Sequence, residues 1–216
     1  MIRINGLAFL SLNMLGEIKD RRSIRKYSSE EVSKEAFFRV LEACRWAPSA
    51  HNAQPWRFIV IRDSVLKLRF AENMADQWEQ DMIRDMVPLE TRESLIETTV
   101  RQFSGAPIVI IPCLTMEDMD EYPDERRKKV EYVMAVQSVG AAIENLLLAA
   151  HGAGLGACWF CAPLFCPETV RITLKIPEYV KPQALITLGY PSTKPDPPPR
   201  RPLKDIIYEN CWGQSM

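Results

Sequence analysis

Apolar positions along the chain recur at two periods, and each period marks a different kind of element. Residues 57–62 centre on Ile59-Val60-Ile61 and read as a buried strand; residues 108–113, 157–160 and 184–190 read the same way. Helical spacing predicts a short helix over 14–21, with Leu15 and Ile18 on one side and Glu17, Lys19 and Asp20 on the other. Ser33 is placed to cap a second helix that carries Phe37, Val40, Leu41 and Cys44 on one face and ends at Pro48. Phe37 and Phe38 both read as core. Further helices are expected over 66–82, 91–103, 130–150 and 167–174. The first of these carries Phe70, Met74, Trp78 and Met82, which suit a core or a lid.

Residues 130–150 are apolar on nearly every face, and such a helix must be buried all round, under a sheet or against its copy in a second subunit. Ser138, Gly140, Ala141 and Ala142 would let another helix approach closely. His151 ends it as a cap. Gly152, Gly154 and Gly156 follow a helix and precede a strand, the reverse of a dinucleotide fingerprint, so they read as a helix stop and turn. The charged stretch 117–129 reads as a solvated loop. Residues 191–202 hold proline at six of twelve positions, which predicts a stiff extended arm ending in Arg200-Arg201.

A chain of 216 residues, 47% hydrophobic and 25% charged, is long enough for one sizeable core, and its net charge of −1 argues against nucleic acid as a partner. The six cysteines lie mostly in apolar runs and read as reduced, buried thiols. Cys158, Cys161 and Cys166 fall short of the four ligands that a thiolate metal site needs, and packed aromatic neighbours explain them better, so no metal is expected. No small-residue cleavage site follows the apolar residues 7–12, and no apolar run reaches the roughly 20 residues that span a bilayer. A cytoplasmic protein with no membrane partner is the expectation.

Two polar stretches stand apart from this pattern. Arg21, Arg22, Ser23 and Arg25 offer guanidinium forks and a hydroxyl suited to a phosphate. Ser49, Asn52 and Gln54 offer donors and acceptors suited to the edge of a polar heterocycle. Together they point to a phosphorylated ring cofactor. The stretch RRSIRKY followed by APSAHNAQPWRF resembles the opening signature of the FMN-dependent nitroreductase family, and the later GLG-x-CW turn and LxxLGYP strand extend the resemblance over residues 14 to about 208.

The resemblance implies an α+β fold: a mixed, mostly antiparallel sheet wrapped by helices, in an intertwined homodimer with an FMN site at each subunit interface. It implies residues 1–13 as an extension, 14–208 as the FMN-binding domain and 209–216 as a tail. Arg21, Arg22, Ser23 and Arg25 match the family's phosphate and ring-edge contacts. Pro48, Ser49, Ala50 and Asn52 match the loop contributed by the partner subunit, with Gln54 beside it. Trp159, Phe160, Cys161 and Ala162 would face the ring with backbone groups, and Arg200 or Arg201 would return to the phosphate. Arg101 is the nearest candidate, in imperfect register, for stabilising reduced flavin. The implied activity is hydride transfer from NADH or NADPH through FMN to a small acceptor such as a nitroaromatic, quinone or enone, the flavin rather than a side chain carrying the chemistry. Alternatives are dehalogenation, flavin fragmentation or deazaflavin use on the same fold, or a non-redox phosphate- or metal-binding module.

Overall fold

The computed structural model describes residues 7–214, with the backbone course alone for 7–13; the expected extension over 1–13 therefore lies outside the described residues through Gly6. The helices are α1 (Leu7–Asp20), α2 (Lys34–Arg45), α3 (Ser64–Arg84), α4 (Leu89–Ser104), α5 (Glu125–Gly152) and α6 (Pro167–Leu174). The strands are β1 (Trp56–Ile61), β2 (Ile108–Leu114), β3 (Gly156–Phe160), β4 (Lys181–Pro182) and β5 (Leu185–Gly189). They form one sheet in the order β1-β2-β5-β3, with β4 pairing β2 beyond the end of β5. All named pairs are antiparallel. Among the described residues, an isolated parallel bridge joins Ser23 to Ala157 alongside this antiparallel sheet.

β2 shows why the sheet sits at the centre. Ile108, Ile110 and Leu114 enter a core with α2 and α5, whereas Val109, Ile111 and Cys113 enter a second core with α3, α4 and α6. A strand covered on both faces has no polar side, hence its unbroken apolar run. Pro112, which has no N–H to donate, lies where β2 changes partner from β5 to β4, and its carbonyl accepts from Gln183 N at 2.9 Å.

Caps explain where the helices begin. Ser33 Oγ accepts from Ala36 N at 3.1 Å, as expected. Asp63 and Asp124 play the same part for α3 and α5, accepting from Leu66 N at 2.6 Å and Arg127 N at 3.0 Å. Those two caps start their helices earlier than the apolar spacing indicated. The charged residues 125–129 are therefore helical rather than loop, supported by Lys128 Nζ on Glu125 Oε1 at 2.8 Å. α1 likewise begins at Leu7 rather than Met14. Phe37 is core, but Phe38 is exposed.

Two expectations about α5 change. It reaches spanning length and hydropathy, 1.5 over its most apolar window, yet its buried residues pack within the core that it shares with α2 and the sheet. Nor is it buried all round, for Val130, Val133 and Val136 remain exposed on one side. After it, Gly154 takes a φ of 74° and Leu155 N returns to Ala150 O at 2.8 Å, a glycine-dependent stop.

Gly156 is needed for a different reason. A Cβ there would stand 2.7 Å from three atoms of Ile24, a buried β-branched side chain with no room to swing away. Gly156→Ala is expected to cost about 1–3 kcal/mol as overpacking, lowering the thermal midpoint by roughly 3–10 °C. Thermal melting followed by circular dichroism checks this, and an unchanged midpoint would mean that Ile24 does not pin its segment to β3.

Candidate functional site

Residues 21–27 run beside β3 as an added strand-like segment. Ile24 N donates to Ala157 O at 2.9 Å, and Tyr27 forms a bridge with Pro191. The Tyr27 hydroxyl lies 2.6 Å from Thr187 Oγ1 and 2.5 Å from Ile24 O, and burial pushes its phenol well above the ordinary range, so it remains a neutral anchor. With Ile24 and Tyr27 fixed, the intervening polar side chains are presented along the strand. Arg25 stands over the Phe160 ring at 5.8 Å, and among the described residues its guanidinium makes one long hydrogen bond, 3.4 Å to Ser23 O. Burial raises the Cys158 thiol, while Arg25, the Ser23 hydroxyl and Arg21 pull it back, which puts all three close to β3.

Arg21 Nε lies 3.7 Å from Glu144 Oε1 on α5. Arg22 donates to the carbonyls of Lys19 and Arg21 at 2.6 and 2.8 Å, while its Nε is buried with no partner. Arg21 and Arg22 line a recess of about 170 Å³ together with His151 and Lys194. His151 is held there by Glu17, 3.3 Å away, so it ties α5 to α1 as well as ending its helix. Lys194, which sequence reasoning did not single out, is the cation that the proline-rich arm brings to this recess. Arg200 and Arg201 stay exposed farther along the arm, and among the described residues Arg200 bonds the carbonyls of Pro198 and Pro199, at 3.3 and 3.2 Å.

The second polar stretch folds as a strained turn, Ala50–Asn52, between α2 and β1. His51, Asn52 and Gln54 have φ of 54°, 56° and 48°, a left-handed conformation that non-glycine residues seldom adopt and that clusters at functional sites. Local bonds hold it: Gln54 N donates to Ser49 Oγ at 3.1 Å, and Ala50 N donates to Ser138 Oγ on α5 at 3.2 Å. Asn52 and Gln54 are exposed, as is Pro48. The turn meets α5 at Glu131 and Ser138, whereas Arg21 meets it at Glu144. At the rise of a helix these points are about 9–20 Å apart along its axis, so one chain holds its two polar stretches at separate places.

Beyond Phe160 a cavity of about 500 Å³ opens between the end of β3 and helices α3 and α4. Phe160, Cys161 and Ala162 line it, Phe103 packs edge-on against Phe160 with ring centroids 4.9 Å apart, and Trp78 and Phe165 add further aromatic lining. Trp159 lies elsewhere, against Gly140 of α5. Arg101 pairs with Glu97 at 3.2 Å and does not line the cavity. Burial raises Cys44 and Cys113 to about 12 and Cys166 to about 11, leaving these thiols protonated at neutral pH. Among the described residues Cys158, Cys161 and Cys166 do not converge on a common point. The aromatic cavity wall had a sequence signal, the aromatic and methionine mix in α3; Lys194 had none, since a lone lysine in a charged arm looks like any other.

The sequence profile of the Nitroreductase family matches residues 18–190. A Methanothermobacter thermautotrophicus protein, provisionally named NADH dehydrogenase/NAD(P)H nitroreductase, is 33% identical over 186 residues, covering 85% of this chain and 80% of its own. Iodotyrosine deiodinase 1 of Sus scrofa is 29% identical over 195 residues, 88% of this chain and 66% of that one. Among solved structures, a provisionally named nitroreductase of Desulfovibrio desulfuricans in complex with FMN superimposes with a TM-score of 0.69 at 31% identity, covering 92% of this chain and 97% of that one.

Proposed function

Because the chain belongs to the nitroreductase family, we propose that it binds FMN and acts as an NAD(P)H-dependent oxidoreductase on a small acceptor such as a nitroaromatic, quinone or enone. The observation that carries this reading is the placement of Ser23 and Arg25 along β3, beside the Phe160–Ala162 wall of the aromatic cavity. A phosphate-binding set and a flat apolar chamber then adjoin the same strand. The donor set fits the cofactor: the buried, unpartnered Nε of Arg22 has no protein acceptor, and Arg21 and Lys194 share its recess. When bound, FMN would supply the hydride chemistry between a reduced nicotinamide and the acceptor.

The chain's own residues would do the rest. Arg21, Arg22, Ser23 and Arg25 hold the phosphate and the ring edge, with Lys194 as the cation supplied by the arm. The backbone of Phe160, Cys161 and Ala162 supports the ring, and Trp78, Phe103 and Phe165 keep water from its face. Pro48, Ser49, Ala50, Asn52 and Gln54 complete the site of the other subunit in a homodimer. Support for the dimer comes from apolar surface left open on separate elements: Leu15 and Ile18 of α1, Val130 and Val133 of α5, and Trp212 in the C-terminal tail. Six unpaired thiols suit the reducing cytoplasm.

Anaerobic titration of the FMN-loaded protein with NADH and with NADPH tests the activity. Bleaching of oxidised flavin, reversed by a nitroaromatic or quinone, is the expected result; failure to retain FMN, or flavin that neither nicotinamide bleaches, would overturn it. The relation to iodotyrosine deiodinase 1 favours a second reading, reductive dehalogenation. Halide release from a halophenol by the reduced protein, without turnover of nitroaromatics, would select it.

A further inference from the structure

We propose that His51, Asp120 and Glu131 form a binding site for a divalent transition metal of the zinc class, which clasps the strained turn to α5. One ligand atom from each of the three lies within 4.8 Å of the other two. His51 Nε2 stands 3.4 Å from Glu131 Oε1 and 3.9 Å from Asp120 Oδ2. The first distance is long for an N–H···O hydrogen bond, which centres near 2.9–3.0 Å. It matches the roughly 3.4 Å edge of a tetrahedron whose metal–ligand bonds are about 2.0–2.1 Å. The second needs a contraction of about half an ångström toward that edge, and Asp120 is an exposed loop residue free to make it.

Glu131 supplies the independent observation. It is only 4% exposed, and its Oε2 is buried with no hydrogen-bond partner. A buried carboxylate oxygen in that state calls for a cation or a donor. Nearby acidic residues are already served, because Arg57 lies 3.6 Å from Glu117 and 3.8 Å from Asp118. The described ion pairs give Asp120 and Glu131 no cation except His51, which would be charged only when protonated. One imidazole nitrogen with two carboxylates suits zinc or manganese better than calcium, which takes oxygen ligands. The half-exposed His51 and Asp120 leave an entry path and room for a water as fourth ligand. Such an ion would join the turn holding Ser49, Asn52 and Gln54, the loop before α5, and the first turns of α5.

The test uses the purified full-length protein, stripped by chelator and then melted with zinc chloride and, separately, manganese chloride. One equivalent of zinc retained after dialysis is expected. The melting midpoint should rise by about 5–10 °C at a hundredfold excess over Kd. Glu131→Gln and His51→Gln should each abolish both effects, whereas Cys161→Ser combined with Cys211→Ser should keep them, excluding zinc held by exposed thiols. His51 is a surface residue, so its variant answers even if Glu131→Gln fails to fold. Absence of stoichiometric zinc, or zinc retained equally by both variants, would overturn the site. A wild-type midpoint that zinc does not move but Glu131→Gln lowers would replace it with a plain His51–Glu131 ion pair.

Discussion

Arg25→Ala is expected to weaken FMN binding roughly 10- to 150-fold, the equivalent of losing one charge-assisted hydrogen bond of about 1.5–3 kcal/mol. The fold should survive, because among the described residues this guanidinium makes no short hydrogen bond or ion pair to another element. It makes one long contact to Ser23 O and otherwise lies over Phe160, while Ile24 and Tyr27 hold the segment to β3 and β5. Arg25→Lys should recover part of the loss, since it restores the charge but not the two-pronged geometry. Calorimetric titration of apoprotein with FMN measures both, with circular dichroism as the check on folding. Unchanged affinity in Arg21→Ala, Ser23→Ala and Arg25→Ala alike would remove the phosphate assignment.

The other large effect concerns sharing between subunits. If each flavin site takes its arginines from one chain and its strained turn from the other, Arg25→Ala and Asn52→Ala homodimers are each defective at both sites. Asn52 adds a second cost when replaced, because alanine fits its φ of 56° less readily than asparagine. A heterodimer of the two variants then carries one doubly damaged site and one intact site. Subunits mixed one to one by refolding should regain full-affinity FMN binding at about a quarter of all sites, as a two-fold symmetric dimer requires. FMN should also raise dimer stability, because a ligand touching both chains binds only the assembled state. A monomeric flavoprotein by sedimentation, or no recovery on mixing, would falsify the shared site.

β2 was legible because a strand buried on both faces needs an unbroken apolar run, and α6 because Pro167 and the Ile176-Pro177 breaker bound it. The start of α5 was not, because residues 125–129 have no apolar period; an Asp124 cap and neighbouring ion pairs hold them helical. The two-residue β4 is too short to show any period.

The same division runs through the candidate site. Arginine and hydroxyl chemistry at 21–25, and amide chemistry at 49–54, are properties of the residues themselves and could be read directly. Their placement could not. That Arg25 stands over Phe160, that Lys194 reaches the arginine recess, that Gly156 makes room for Ile24 and that His51 meets Glu131 all join residues about 80 to 170 positions apart or on separate elements. Local sequence sets propensity, capping and burial pattern within a few turns of chain. Contacts at long separation depend on how sheet and helices close around two cores, and only the tertiary structure decided them.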